Sequence, residues 1–179
     1  MIAAEHNASD LVELLQQSAV EHLTTYCRVE ARVFGSVVSI VTTDKKAVYA
    51  YKRGDYRRCL QLSTQNVHTL LCAANVTRVP TLPQFIQLLD DDMASLSALT
   101  LIVNPKCRDH DNNCYITQVT LSLYLMTKCQ LKLRHSMMSL AHTLDCIEVA
   151  QGRHPVYRTL DQLTLKLTVR ILLTSASAM

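Results

Sequence analysis

A short turn between two helical segments gives the clearest indication of fold in this chain. Residues 47–60 read Ala-Val-Tyr-Ala-Tyr-Lys-Arg-Gly-Asp-Tyr-Arg-Arg-Cys-Leu. Gly54 can adopt the left-handed conformation that ends a helix without a steric penalty, and Asp55 is a favourable N-cap for the next helix. We therefore predict a helix from about Val37 to Gly54 and a second helix through Leu71, joined as an antiparallel hairpin.

Apolar residues at helical spacing predict helices along most of the remaining chain. The predicted segments are residues 10–23, 25–34, 83–103, 115–133, 136–150 and 159–173. In segments 116–133 and 159–173, Leu also recurs at every second residue, as in a strand. We prefer helices there, because so long a stretch without Gly or Pro exceeds a typical strand. The chain is thus expected to be all-α, with one domain across residues 1–179 that is either complete or a segment of a larger protein.

The residues around the turn resemble a tetratricopeptide repeat, in which a Gly-Asp-Tyr turn separates two helices that approach closely at small residues. The matching positions are Ala47, Gly54, Asp55, Tyr56, Cys59 and Leu60. Asn66 departs from the family, which has a small apolar residue there. Residues 121–150 are a candidate second, degenerate hairpin with its turn at 134–136. The resemblance covers about one repeat and implies antiparallel helical hairpins stacked as a short solenoid.

The same resemblance implies a function in binding proteins. Ligand peptides of such solenoids lie on the concave face formed by the first helix of each hairpin. Carried over position by position, that face includes Asp44, Val48, Tyr51 and Lys52. The alternative is that these residues line a contact between helices. We expect a scaffold or adaptor that binds a protein or peptide and has no chemistry of its own.

A second resemblance points to a different class of protein. Residues 62–67 and 121–125 are similar to carboxy-terminal helical segments of cyclic-GMP-AMP-synthase-like nucleotidyltransferases. That similarity implies a helical segment of a larger enzyme. The catalytic acidic cluster of those enzymes is not identifiable in this sequence, and no nucleophile signature surrounds any Cys or His. We therefore expect no enzymatic activity.

Candidate metal ligands occur at Cys107, His110 and Cys114. Two thiolates and an imidazole suit zinc, but the spacing is not a standard one and no fourth ligand lies nearby. The acidic run at residues 90–92 cannot converge on one ion from a continuous helix, because consecutive side chains project about 100° apart. At a helix break, those carboxylates would instead cap a helix near Met93. We expect no metal and no cofactor.

Charge and cysteine content indicate the setting in which the chain works. A formal net charge of +3 is too small for a nucleic-acid-binding surface, and no window approaches the ~20 apolar residues of a membrane span. Seven cysteines at irregular spacing are typical of reduced thiols in a cytoplasmic protein. The last helix carries apolar residues on more than one side, which suggests contact with missing neighbours or with a second copy.

Overall fold

The computed structural model describes residues 35–72, 89–103, 116–153 and 159–177. These ranges contain six helices and no strand, which confirms the all-α prediction. The helices are α1 (Gly35–Lys52), α2 (Tyr56–Cys72), α3 (Asp91–Val103), α4 (Gln118–Lys132), α5 (Met137–Arg153) and α6 (Thr159–Ser177). Both segments with strand-like alternation are helices, α4 and α6. The helices predicted at 10–23 and 25–34, and the Cys107, His110 and Cys114 group, lie outside the described residues.

The turn between α1 and α2 has the predicted geometry. Gly54 has a φ of 77°, in the region where a glycine pays no steric cost. Its N–H donates to the Tyr51 carbonyl at 3.0 Å, and the Asp55 N–H donates to the Ala50 carbonyl at 2.9 Å. This pair of bonds is the Schellman motif that ends helices. The Asp55 carboxylate then accepts from the Arg58 N–H at 3.1 Å and caps α2.

The turn between α4 and α5 repeats this arrangement without a glycine. Arg134 has a φ of 51°, and its N–H donates to the Leu131 carbonyl at 3.1 Å. The His135 N–H donates to the Gln130 carbonyl at 2.9 Å. These are the same two bonds that close the first hairpin. Residues 121–150 therefore do form a second helical hairpin, and its turn is in register with the first when Arg134 is aligned with Gly54.

Helix α4 lies at the centre of the described structure and contacts α1, α2, α5 and α6. On one side it packs with Ala47 of α1 and Cys59 of α2, both 0% exposed, at the two positions where the sequence predicts small residues. On the other side it packs with residues of α5 and α6, including Leu140, Ile147 and Leu165. Two apolar clusters thus meet on one helix.

The first residues of α4 are tied to α6. The Asp161 carboxylate, 1% exposed, accepts from the Thr117 backbone N–H at 2.9 Å and from the Thr117 hydroxyl at 3.2 Å. Further along, the Thr143 hydroxyl of α5 donates to the Gln130 side chain at 2.8 Å. Gln130 of α4 and the N-cap residue Thr117 thus have polar partners on α5 and α6, whereas Gln118 Oε1 and Thr127 Oγ1 of α4 are buried without a hydrogen-bond partner among the described residues.

Helix α6 buries part of its apolar surface within the chain. It packs against α3, α4 and α5, and Leu160, Leu165 and Leu172 are buried. Leu173 is the large apolar residue of this helix that stays exposed, at 53%. Leu163, Leu167, Val169 and Ile171 are half-buried, so contact of this helix with a missing neighbour or a second copy stays a prediction. None of the helices in the described ranges is long and apolar enough to span a membrane.

Candidate functional site

The four residues predicted to bind a partner lie in different environments. Lys52 is exposed, and Val48 and Tyr51 are half-buried. Both of these pack against the apolar cluster around Ala47. Asp44 is only 3% exposed and is not accessible to a partner. The structure thus places three of the four residues on or beside a surface, and it places Asp44 inside the protein.

Asp44 joins three helices through one carboxylate oxygen. Its Oδ1 accepts from the Asn66 side-chain amide of α2 at 2.6 Å and from the Ser122 hydroxyl of α4 at 2.8 Å. Its Oδ2 is buried and has no hydrogen-bond partner among the described residues. Burial raises the pKa of Asp44 to about 7, against the opposing effect of these two hydrogen bonds. Asp44 therefore links α1 to α2 and α4 inside the protein.

A second carboxylate, that of Asp90, is held by side chains from α1 and α4. The Tyr124 hydroxyl donates to its two oxygens at 2.9 and 2.8 Å, and the Tyr51 hydroxyl lies 3.3 Å from Oδ2. The Lys128 ammonium lies 3.4 Å from the same oxygen. We call Tyr51, Tyr124 and Lys128 the carboxylate site. The sequence predicts a binding role for Tyr51 but not for Tyr124 or Lys128.

The electrostatics of the carboxylate site favour an anion. Burial, together with the neighbouring Asp90 charge, raises the pKa of Tyr51 and of Tyr124 above their usual value. Burial lowers the pKa of Lys128, but its hydrogen bond to Asp92 and the charge of Asp90 outweigh that effect and the pKa is raised. Near neutral pH the two phenols are therefore uncharged hydrogen-bond donors and Lys128 is a cation. The site offers two hydroxyl donors and a positive charge to Asp90, and Lys128 also binds the exposed carboxylate of Asp92 at 2.9 Å.

The register of the two hairpins explains why these side chains converge. When Gly54 is aligned with Arg134, Tyr124 takes the position of Asp44, and Lys128 takes the position of Val48. The carboxylate site therefore lies on α1 and α4, at positions that correspond between the two hairpins, and we call the surface of these two helices around it the face. The missing signal was this alignment, which requires Arg134 to be recognised as a turn residue in the left-handed conformation. Non-glycine residues adopt that conformation infrequently.

The segment that begins with Asp90 lies over this face. Asp90 Oδ1 also accepts from the Met93 N–H at 3.0 Å, so Asp90 is the N-cap of α3. The continuous helix predicted over 83–103 is thus wrong at Asp90, and capping near Met93, the alternative, is what the structure has. Leu89 and Met93, 2% and 0% exposed, enter the cluster around Ala47, and Leu96 packs against it. A polypeptide segment of the chain itself therefore occupies the face.

Other candidate sites are weaker. A shallow depression of about 370 Å³ lies between the two turns and is lined by Arg57, Leu60, Gln61, Leu133 and His135. None of these side chains is buried, so the depression has no fixed polar side chain that could orient a ligand.

The remaining candidates are a buried thiol and a metal site. Hydrogen bonding with Cys59 and burial raise the pKa of the Cys129 thiol, as expected for a residue of the protein interior. In the described ranges, no group of three or more His, Cys, Asp or Glu side chains could hold a metal ion.

The chain was compared with protein-family models, curated proteins and solved structures. No protein-family model, no curated protein and no solved structure matches the chain. The candidate site is therefore defined by its own geometry, in which two tyrosines and a lysine on adjacent helices hold one carboxylate.

Proposed function

We propose that this chain is a protein–protein interaction module that binds a polypeptide segment along the face formed by α1 and α4. It acts as a scaffold or adaptor and contributes no chemistry. The observation that carries the proposal is the occupation of this face by residues 89–96, through the carboxylate site and the apolar contacts of Leu89 and Met93. A face that accommodates one segment of polypeptide has the shape and the donors to accommodate another.

The order of the helical contacts supports a tetratricopeptide-like arrangement. Helix α4 contacts both helices of the first hairpin, and α6 contacts both α4 and α5. Contact between each unit and its sequence neighbours is the pattern of stacked helical repeats. The two Schellman turns in register support the same arrangement. Helix α3 is then part of an insertion between the first and second hairpins.

A cytoplasmic location is part of the proposal. Cys59 and Cys129 are free and buried in the apolar interior, and Cys72 and Cys146 are also free. Reduced thiols of this kind are typical of proteins from a reducing compartment. Neither thiol of the buried pair requires oxidation for the helices to pack.

The experiment is a selection of peptides on the full chain followed by a comparison of two exposed-residue variants. Peptides from a random library are selected on the immobilised protein, and their affinity is measured for the wild type, Lys52→Ala and Gln65→Ala. Lys52 borders the proposed face, whereas Gln65 lies on α2, and both side chains are exposed. We expect Lys52→Ala to weaken binding by about fivefold, the worth of an exposed charged contact.

Gln65→Ala is the control, and it should leave both the affinity and the melting temperature unchanged. Equal binding by the two variants contradicts the proposed face. Failure of the library to yield any binding peptide contradicts the proposed function.

A further inference from the structure

The carboxylate site constrains what kind of segment the face accepts. Tyr51 and Tyr124 present hydroxyl donors, and Lys128 presents an ammonium group. A ligand without an acceptor leaves the buried Tyr124 hydroxyl unpaired, which is costly, and a ligand with only a neutral acceptor does not neutralise the charge of Lys128. Charge-assisted hydrogen bonds are also stronger than those between neutral groups. The chemistry therefore selects a carboxylate.

The residues that follow Asp90 define the rest of the ligand. Met93 is buried in the cluster around Ala47, and Ser97 and Thr100 are the buried residues farther along α3. Their spacing from Asp90 is three, seven and ten residues, which places them on one side of a helix. A matching ligand is thus a helix with an acidic N-cap and a buried side chain at each of these spacings.

Helix α3 has buried side chains at these spacings, but two of its features are unfavourable. Ser97 is buried and its hydroxyl has no hydrogen-bond partner among the described residues. Among the described helices, its substantial contact is with α6. Leu99, Ile102 and Val103 are 57%, 67% and 81% exposed. An occupant that buries an unpaired hydroxyl and leaves apolar side chains in solvent is a replaceable one.

We infer that the face recognises an acidic amphipathic helix, and that residues 89–103 are a resident segment that such a partner displaces. The inference rests on the proposed function and specifies its ligand. A tethered segment competes at an effective concentration in the millimolar range, so a partner must bind more tightly than α3 does. Apolar or small residues in place of Ser97 and Thr100 supply that advantage.

The first test uses two labelled synthetic peptides with the sequence of residues 89–100, one native and one with Asp90→Asn. Asn is also a good N-cap, so the pair differs in the charge of the carboxylate and keeps the helix start. The proteins are the full-length wild type and its Asp90→Asn variant, which weakens the resident segment. Binding is measured by fluorescence anisotropy.

We expect the native peptide to bind the Asp90→Asn protein about tenfold more tightly than the wild type, because a charge-assisted contact of the competitor is lost. The Asn peptide should bind that protein about tenfold more weakly than the native peptide. Adding Lys128→Met to the Asp90→Asn protein should weaken both peptides, because Lys128 also lies 2.9 Å from Asp92, and should reduce the discrimination without removing it, since the tyrosine hydroxyls remain. A peptide with Ser97→Ala should bind several-fold more tightly than the native one, since it buries no unpaired hydroxyl.

Displacement is read directly on the wild type by amide hydrogen exchange in the isotope-labelled chain. Saturation with the Ser97→Ala peptide, which is expected to bind more tightly than the resident sequence, should speed exchange across 91–103 and leave the centre of α4 protected. This measurement also decides the matter if the Asp90→Asn protein does not fold. Equal affinities of the two peptides, or unchanged exchange at saturation, overturns the inference. If library peptides bind in a Lys52-dependent way while these peptides do not bind, the inference fails and the proposed function stands.

Discussion

The buried carboxyl group of Asp44 predicts a stability that falls as the pH rises towards neutrality, and Asp44→Asn should remove that fall. In the folded protein, burial raises the pKa of Asp44 from 3.8 to about 7. The folded state therefore keeps a proton that the unfolded chain releases at a pH near 4. In Asp44→Asn, the side-chain oxygen of the asparagine can still accept the hydrogen bonds that Asn66 and Ser122 donate to Asp44.

The sign and size of the effect follow from linkage between protonation and folding. Because the folded-state pKa of Asp44 is the higher one, its contribution to stability is fully present below the unfolded pKa and is lost as the pH rises through about 7. A difference of roughly 3 pKa units corresponds to about 4 kcal/mol. The window of the effect is therefore pH 4 to 7, and the loss is complete above it.

The measurement is urea unfolding of the wild type, Asp44→Asn and Asp145→Asn from about pH 4 to pH 8, followed by circular dichroism. The free energy of unfolding of Asp44→Asn minus that of the wild type should increase by about 4 kcal/mol between about pH 4 and pH 8. Asp145 is exposed on α5, so Asp145→Asn makes the same chemical change outside the interior and should run parallel to the wild type. A difference between wild type and Asp44→Asn that stays constant with pH refutes the reasoning.

Three further substitutions test the turns and the carboxylate site by the same unfolding measurement. Gly54→Ala should lower stability by about 1 kcal/mol, because an alanine is strained at a φ of 77°; an unchanged midpoint contradicts that conformation. Arg134→Gly should raise stability by about 0.5 to 1 kcal/mol, since it relieves the same strain at a φ of 51°, and a loss of stability argues against it. Tyr124→Phe should cost about 1.5 to 3 kcal/mol through its lost bonds to Asp90, whereas the exposed Tyr49→Phe should cost under about 0.5 kcal/mol.

Local signals were sufficient for the helices and the first turn. Gly54 and Asp55 act through backbone conformation and capping, which depend on a few neighbouring residues. The predicted end of the second helix at Leu71 is therefore within one residue of the observed end at Cys72. The helix predicted over 83–103 is wrong at Asp90 because periodicity alone does not show where a carboxylate leaves a helix to bind elsewhere.

The ambiguity between helix and strand in segment 116–133 has a physical cause. A helix with one buried face shows apolar residues every three or four positions, whereas α4 is enclosed by α1, α2, α5 and α6. Leu121, Leu123 and Leu125 are all buried, at 4%, 0% and 0% exposure, although they point in different directions around the helix. Alternation by two is then a consequence of burial on several faces. Length decided the question where periodicity could not.

The environment of Asp44 could not be predicted, because its partners are distant in sequence. The family pattern places Asp44 on a binding face and a small apolar residue at the position of Asn66. These two departures explain each other, since the Asn66 amide donates to the Asp44 carboxylate and Ser122 completes the group. A buried carboxyl and a buried amide are each unfavourable alone and are tolerated when hydrogen-bonded. Considered separately, the family pattern predicts an exposed Asp44 and a small apolar residue at position 66, and neither expectation holds.

Helix α4 connects the interior contact of Asp44 with the carboxylate site. Ser122 binds Asp44, and Tyr124 and Lys128 bind Asp90, so both carboxylates are held by the same rigid element. Tyr51 must lie near Tyr124 for the two hydroxyls to reach one carboxylate, and that spacing depends on how α1 seats against α4. The polar contact at Asp44 forms when Asn66 of α2 and Ser122 of α4 both lie against Asp44, so we expect this buried contact to influence how α1 seats against α4. A buried polar group that adds little stability near neutral pH can therefore still determine the geometry of the face above it.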